Sequence, residues 1–171
     1  MPHVPPLAKQ DAPKEAQPIL SAIEKNLGQI LNIFGTLAYQ PDVLEGVTKI
    51  NDGIRNDLPD KLRELAYYKS SQVNDCDYCS HYHRGLALKA GATEEQIEAI
   101  GEYATSDAFD QHERAVLAYA EELTETGNVR SATVEKVKEF LDDKQLVTLA
   151  ATIGLANFTN RFNHGLGIEL P

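Results

Sequence analysis

Beyond residue 17 the chain repeats apolar residues at spacings of three and four and contains no alternating run, so the pattern predicts an all-α protein. The first run takes in Ile19, Leu20, Ile23, Leu27, Ile30, Leu31 and Phe34. Pro41 and Asp42 open a second, through Val43, Leu44, Val47, Ile50 and Ile54. Leu58-Pro59-Asp60 opens a third, with Pro59 in a first-turn position where its missing N–H is no loss, and this run reaches about Asn74. The helix that follows carries both cysteines and continues through Leu86, Leu88 and Ala90 to Gly91, a natural C-terminal glycine. Thr93-Glu94-Glu95-Gln96 reads as a capping box ahead of Ile97 and Ile100. After a break at residues 107–110, a long helix runs from about Gln111 to Thr126 and stops at Gly127, and Ser131-Ala132-Thr133 starts another with Val134, Val137, Phe140 and Leu141 on one face. The last helix, about Lys144 to Asn163, is apolar nearly all round from Leu146 to Ala156, which predicts a central, buried position.

The third helix is committed on two sides. Leu62, Leu65, Ala66, Lys69 and Val73 form one stripe, and Glu64, Tyr67, Tyr68 and Ser71 form another on the opposite side. Residues 59–103 and 111–165 repeat a coarse order of helices, a hint of internal duplication in which only the first copy has cysteines. Residues 1–17 hold Pro2, Pro5, Pro6 and Pro13 and little periodicity, so they predict an extended arm, loose or laid across a neighbouring subunit, before a single helical domain over 18–171.

A length of 171 residues suits one domain with a real core. The net charge of −10, without any Lys/Arg cluster, argues against nucleic acid and anionic membranes as partners. No basic segment precedes an apolar run at the N-terminus, and no later stretch approaches a membrane-spanning length, so the expected location is the cytoplasm. A C-x-x-C pair there is more often redox-active or metal-binding than a structural staple.

That pair lies in Asn74-Asp75-Cys76-Asp77-Tyr78-Cys79-Ser80-His81-Tyr82-His83, which also holds two of the five histidines. On a helix, Cys76, Cys79 and His83 fall within a sector of roughly 60°, while His81 points about 140° away from Cys76. An imidazole one turn from a thiol can take its proton or stabilise the thiolate, and a second thiol at i−3 can condense with an oxidised one. The alternatives are a structural zinc site and an inert buried pair. Zinc normally takes four ligands, and neither a second C-x-x-C nor a spaced histidine pair follows at finger distance. Glu64 has two readings of its own: a solvated helix carboxylate, or a partly buried, hydrogen-bonded group with altered proton affinity.

Glu64, eleven intervening residues, Cys76-x-x-Cys79 and then His83 resembles the E-x11-C-x-x-C-x3-H signature of alkylhydroperoxidase D (AhpD)-like proteins of the carboxymuconolactone decarboxylase superfamily. Leu62-Arg63-Glu64-Leu65-Ala66 and Gly91-Ala92-Thr93-Glu94-Glu95-Gln96-Ile97 are also similar to that core, and residues 157–167 resemble its peroxidase-related branch. Motif identity covers residues 58–100, with weaker similarity over most of the rest. The resemblance implies an AhpD-like helical fold in trimers or hexamers, and a thiol-dependent hydroperoxide reductase acting in antioxidant defence without a cofactor. It implies that Cys79 attacks the peroxide, Cys76 resolves, and Glu64 and His83 relay protons. A lipoamide- or thioredoxin-like dithiol would return the electrons. Tyr78 is a departure, because family members with well-defined peroxidase activity often carry histidine there and tyrosine is no base near neutral pH. Lactone decarboxylation gives the cysteine pair no role. A helical oligomer that senses oxidants, or binds a partner without turnover, is the competing class.

Two physical arguments point to different thiols. A helix N-terminus favours the thiolate at Cys76, whereas the i to i+4 relation with His83 favours Cys79. The family precedent sides with Cys79.

Overall fold

The computed structural model describes all 171 residues and is all-helical. Its α-helices are α1 (Gln17–Leu27), α2 (Asn32–Leu37), α3 (Pro41–Gly53), α4 (Asp60–Val73), α5 (Asp77–Lys89), α6 (Glu94–Glu98), α7 (Gln111–Thr126), α8 (Ser131–Lys138) and α9 (Asp143–Leu166). Two single 3-10 turns, Lys9–Asp11 and Ile100–Glu102, complete the elements. The fold class expected from periodicity is therefore observed. No helix is long and apolar enough to cross a membrane.

Several boundaries differ from the expected ones for local reasons. The first apolar run is split in two, because Gly28 takes a left-handed conformation at φ 78° and its N–H closes α1 onto the Glu24 carbonyl. Pro59 is the residue before α4 rather than within its first turn. The capping box of α6 forms as expected, with Thr93 and Gln96 exchanging side-chain and backbone hydrogen bonds. A second one, Asp110 with Glu113, closes the break at residues 107–110 and starts α7.

Residues 1–52 and 162–171 form one compact unit, and residues 53–161 another. In the first, the N-terminal segment is tied to its own chain: the terminal amine pairs with Glu169 at 2.6 Å, His3 N–H donates to the Leu166 carbonyl, and Leu7 N–H donates to the Gly35 carbonyl. Gly35 is required there, since a β-carbon would stand 2.9 Å from both the Leu7 oxygen and the Pro6 β-carbon.

In the second unit α4 packs against both α5 and α7, and residues 64–71 are buried without interruption. The two stripes read from the sequence are thus both used. The buried apolar residues of α4 divide between two clusters that cut across those stripes: Ala66 packs with Val116, Ala120, Val137, Leu149 and Ile153, while Leu65 and Tyr68 pack with Ala87, Ile97 and Leu117. Lys69, deep in this helix, is satisfied by Glu121 at 2.6 Å and lies over the Tyr103 ring, whose hydroxyl donates to the same carboxylate. The helix predicted to be wholly buried is not. Leu149, Ile153, Ala156 and Asn160 of α9 are inaccessible, but Val147 is 69% and Phe158 42% exposed, so one stripe of this apolar helix faces outward.

Leu149 has no exposed surface, so Leu149→Ala should destabilise the protein by about 2–5 kcal/mol through lost transfer energy and a residual cavity. Urea unfolding should show the loss in the midpoint. A cost below about 1 kcal/mol would mean that the site relaxes and is not tightly packed.

Candidate active site

The site begins with the turn between α4 and α5. Asn74 ends α4 by donating its N–H to the Ser70 carbonyl, and Asp75 then adopts φ 52°, the only non-glycine residue of the chain with positive φ. Such a conformation is uncommon outside glycine and marks a position over-determined by its surroundings. It turns the chain so that the Cys76 N–H bonds back to the Ser71 carbonyl at 2.9 Å. Behind the turn stands α9: Asn160 Oδ1 accepts from the Asn74 side chain at 2.8 Å, Asn160 Nδ2 donates to Ser71 Oγ at 3.2 Å, and Asn157 Oδ1 accepts from Asn74 at 3.1 Å. These amides, with Asn160 fully buried, fix the loop.

Cys76 is the N-cap of α5, not a residue within it, so the helical projection of the sequence does not describe its side chain. Its sulfur accepts the Cys79 backbone N–H at 3.4 Å. A sulfur at a helix N-terminus holding an amide hydrogen is favoured as thiolate. Both cysteines are buried, Cys76 at 1% and Cys79 at 5% exposure. Cys79 lies in the first turn of α5 and His83 one turn further, at the i to i+4 spacing of side chains that share a face.

His83 Nδ1 lies 2.8 Å from Glu64 Oε2. The carboxylate accepts the Nδ1–H, which fixes the tautomer and leaves the Nε2 lone pair to take a proton. Glu64 Oε1 accepts from Arg63 Nη2 at 3.1 Å and Nε at 3.3 Å. Burial pushes the Glu64 carboxyl up, but the hydrogen bond and charge of His83, together with Arg63, outweigh it and hold the carboxyl below its ordinary value. Of the two readings of Glu64, the buried and hydrogen-bonded one holds. Tyr67 completes the arrangement, its ring stacked on the His83 imidazole with centroids 3.5 Å apart and planes 11° from parallel. Its hydroxyl meets Thr159 Oγ1 of α9 at 2.6 Å.

The structure thus joins Glu64 and His83 directly and places Cys76 and Cys79 at the start of the same helix as His83. His81 is exposed and edge-on to Tyr82, away from this group. No three His, Cys, Asp or Glu side chains converge as metal ligands. Thr159 and Asn160 also support the site, and the spacing of the cysteine motif points to neither. Two asparagines three residues apart in an otherwise apolar helix were the available signal, because a buried amide needs a built partner.

In this all-helical protein the C-x-x-C pair opens one helix, and the Glu–His pair bridges that helix to its neighbour. Comparison with known proteins bears on the family and the fold. The model of the carboxymuconolactone decarboxylase family matches residues 41–122. The uncharacterized protein YdfG of Bacillus subtilis (strain 168) is 31% identical over 107 residues, 61% of this chain and 73% of its own length. The crystal structure of an AhpD-core, uncharacterized peroxidase-related protein from Ralstonia eutropha JMP134 matches with a TM-score of 0.86 at 20% identity, over 99% of this chain and 92% of that one. The debrominase Bmp8, solved in complex with 2,3,4-tribromopyrrole, matches with a TM-score of 0.84 at 24% identity, over 98% and 91%. The chain belongs to the carboxymuconolactone decarboxylase family, and its fold is AhpD-like.

Because the Glu64 carboxyl titrates below its ordinary value, it stabilises the folded state above the unfolded value of about 4.3 and loses that contribution as pH falls through its lower, folded one. Glu64→Gln should therefore be less stable than wild type near neutrality, by about 1–3 kcal/mol for bonds to a charged group. The gap in melting temperature should close as pH is lowered below about 4. A gap constant from pH 6 to 3 would mean that the carboxylate charge contributes nothing to folding.

Proposed function

We propose that this protein is a dithiol-dependent hydroperoxide reductase in which Cys79 attacks, Cys76 resolves, and His83 with Glu64 handles the protons. The reading rests above all on the 2.8 Å Glu64–His83 bond one turn beyond Cys79. A bound, oriented imidazole is what a thiol needs to become a nucleophile at neutral pH. His83 takes the Cys79 proton, and Glu64 offsets the charge that results. The thiolate forms a bond to a peroxide oxygen as the O–O bond breaks, and the proton held by His83 goes to the departing alkoxide. Cys76, poised by the Cys79 amide, attacks the sulfenic sulfur; the S–S bond forms, the S–O bond breaks, and water leaves. One hydroperoxide becomes one alcohol and one water, and the dithiol becomes a disulfide. A lipoamide- or thioredoxin-like dithiol restores it by exchange.

The helix N-terminus lowers the cost of thiolate at Cys76, which suits a resolving group that must attack promptly. Tyr78, between the two cysteines in sequence, is buried and supplies no base, so the proton work falls to His83 with Glu64. We further propose a cytoplasmic homo-oligomer, a trimer or hexamer, on the strength of the family resemblance. The likeness to a debrominase supports a second substrate class for the same electrons: a carbon–bromine bond reduced to carbon–hydrogen, with bromide released and the disulfide formed.

Stopped-flow oxidation of reduced variants across pH tests the relay. Cys79→Ser should abolish the reaction, and Cys76→Ser should stop at a sulfenic acid detectable by mass. His83→Ala should slow oxidation by about a hundredfold or more and move its pH midpoint toward that of an ordinary thiol, about 8.5. Steady peroxide consumption with a dithiol reductant separates an enzyme from a sensor, and bromide release from tribromopyrrole would redirect the substrate to halogenated rings. Identical pH profiles for wild type and His83→Ala would remove the relay.

A further inference from the structure

The Tyr67–His83 stack has a geometry that neutral rings avoid. Two electron-rich rings prefer an offset or edge-on arrangement, because their negative faces repel when laid directly over one another. Here the centroids are 3.5 Å apart and the planes lie 11° from parallel, which leaves almost no room for offset. The same arrangement becomes attractive when one ring is a cation, since the phenol face then meets positive charge. The ring has little freedom to leave, because it is buried and its hydroxyl is tethered to Thr159 at 2.6 Å. Thr159 lies within reach of the Leu155 and Ala156 carbonyls at 3.1 and 3.0 Å and gives its single hydrogen to them, so Tyr67 is the donor of the tether.

We infer that Tyr67 is a positioning residue for the dithiol reaction: its face holds the His83 ring against Glu64 and favours the imidazolium that forms when Cys79 gives up its proton. The inference rests on the proton relay proposed above. Of the charged groups on α4, Glu64 bonds the imidazole and Arg63 stands behind Glu64; the two thiols at the start of α5 act on Tyr67, and α9 meets Tyr67 through the uncharged Thr159 hydroxyl. Burial pushes the Tyr67 hydroxyl far above its ordinary value, and the nearby Cys79 charge adds to it, so the phenol stays neutral and its face stays available to a cation. Glu64 thus acts on one edge of His83 and Tyr67 on its face. A stack that disfavours the neutral imidazole and favours the charged one increases the thiolate fraction at Cys79.

The test keeps the volume of the ring and changes only its electrons. Tyr67→Phe removes only the hydroxyl and is the reference from which the ring's electrons are then varied. Replacing that phenylalanine with mono-, tri- and pentafluorophenylalanine drains and then reverses the charge of the ring face. The peroxide oxidation rate of Cys79 at pH 7 should fall stepwise along the series, by about tenfold or more at the pentafluoro member, while its pH midpoint rises toward about 8.5. Circular dichroism establishes that each member folds, and a purely structural role for Tyr67 predicts no trend. A flat series beside a slow His83→Ala variant overturns this inference and leaves the relay standing. A His83→Ala variant as fast as wild type overturns both.

Discussion

The hydrogen bond between Glu64 and His83 requires a carboxylate to remain charged at 8% exposure, and much of the surrounding structure can be understood from that demand. A carboxylate removed from water without partners costs several kcal/mol or takes up a proton. Here it has His83 on one oxygen and the Arg63 fork on the other. Arg63 is held in turn by Asp60 at 2.6 Å and by the Arg55 carbonyl. The pair joins residues 19 positions apart, so α5 must lie against α4 in one register, since sliding by even one residue would leave a buried carboxylate and a half-buried imidazole unmatched.

That register depends on the turn at Asp75 and on the polar face of α9. A left-handed aspartate is unfavourable on its own, and the chain is held in it by Asn160 and Asn157 gripping Asn74 and Ser71. Asn160 has no exposed surface, and its amide donates and accepts toward the residues that lead into the cysteine pair. Energetically such a network contributes little over an apolar contact of the same size, because desolvation cancels most of the gain. Its effect is geometric. The start of α5 is fixed, so Cys76 caps the helix and presents its sulfur to the Cys79 amide.

The helix α9 therefore has two tasks: Leu149 and Ile153 close the core, while Asn157, Thr159 and Asn160 support the site. This accounts for its composition better than complete burial does. Polar residues that face the site interrupt the apolar pattern, and Val147 and Phe158 remain outside. The long buried stretch of α4 is the counterpart. Its apolar residues serve two cores, and its polar ones, Glu64, Tyr67 and Ser71, each find a partner on α5 or α9.

By itself the sequence determined the elements and the candidate site groups. Spacings of three and four define helices because 3.6 residues make a turn, and the helices appear where that pattern runs, from α3 through α9. The glycine at 91 and the Thr93–Gln96 box act locally, within a few residues, and were legible for that reason. So were Cys79 and His83 on one helix face, which need only the helix itself. Gly28 was harder to read, because an apolar pattern continues on both sides of it and only the left-handed φ shows the break. Tertiary structure decided the rest. Whether Glu64 is a solvated or a buried carboxylate depends on a histidine 19 residues away, and whether Cys76 lies in the helix or caps it depends on asparagines more than 80 residues away. The Tyr67 ring stacks on His83 while its hydroxyl meets Thr159, 92 residues along the chain. These are long-range pairings between single side chains, and no periodicity along the chain encodes which buried polar group will meet which.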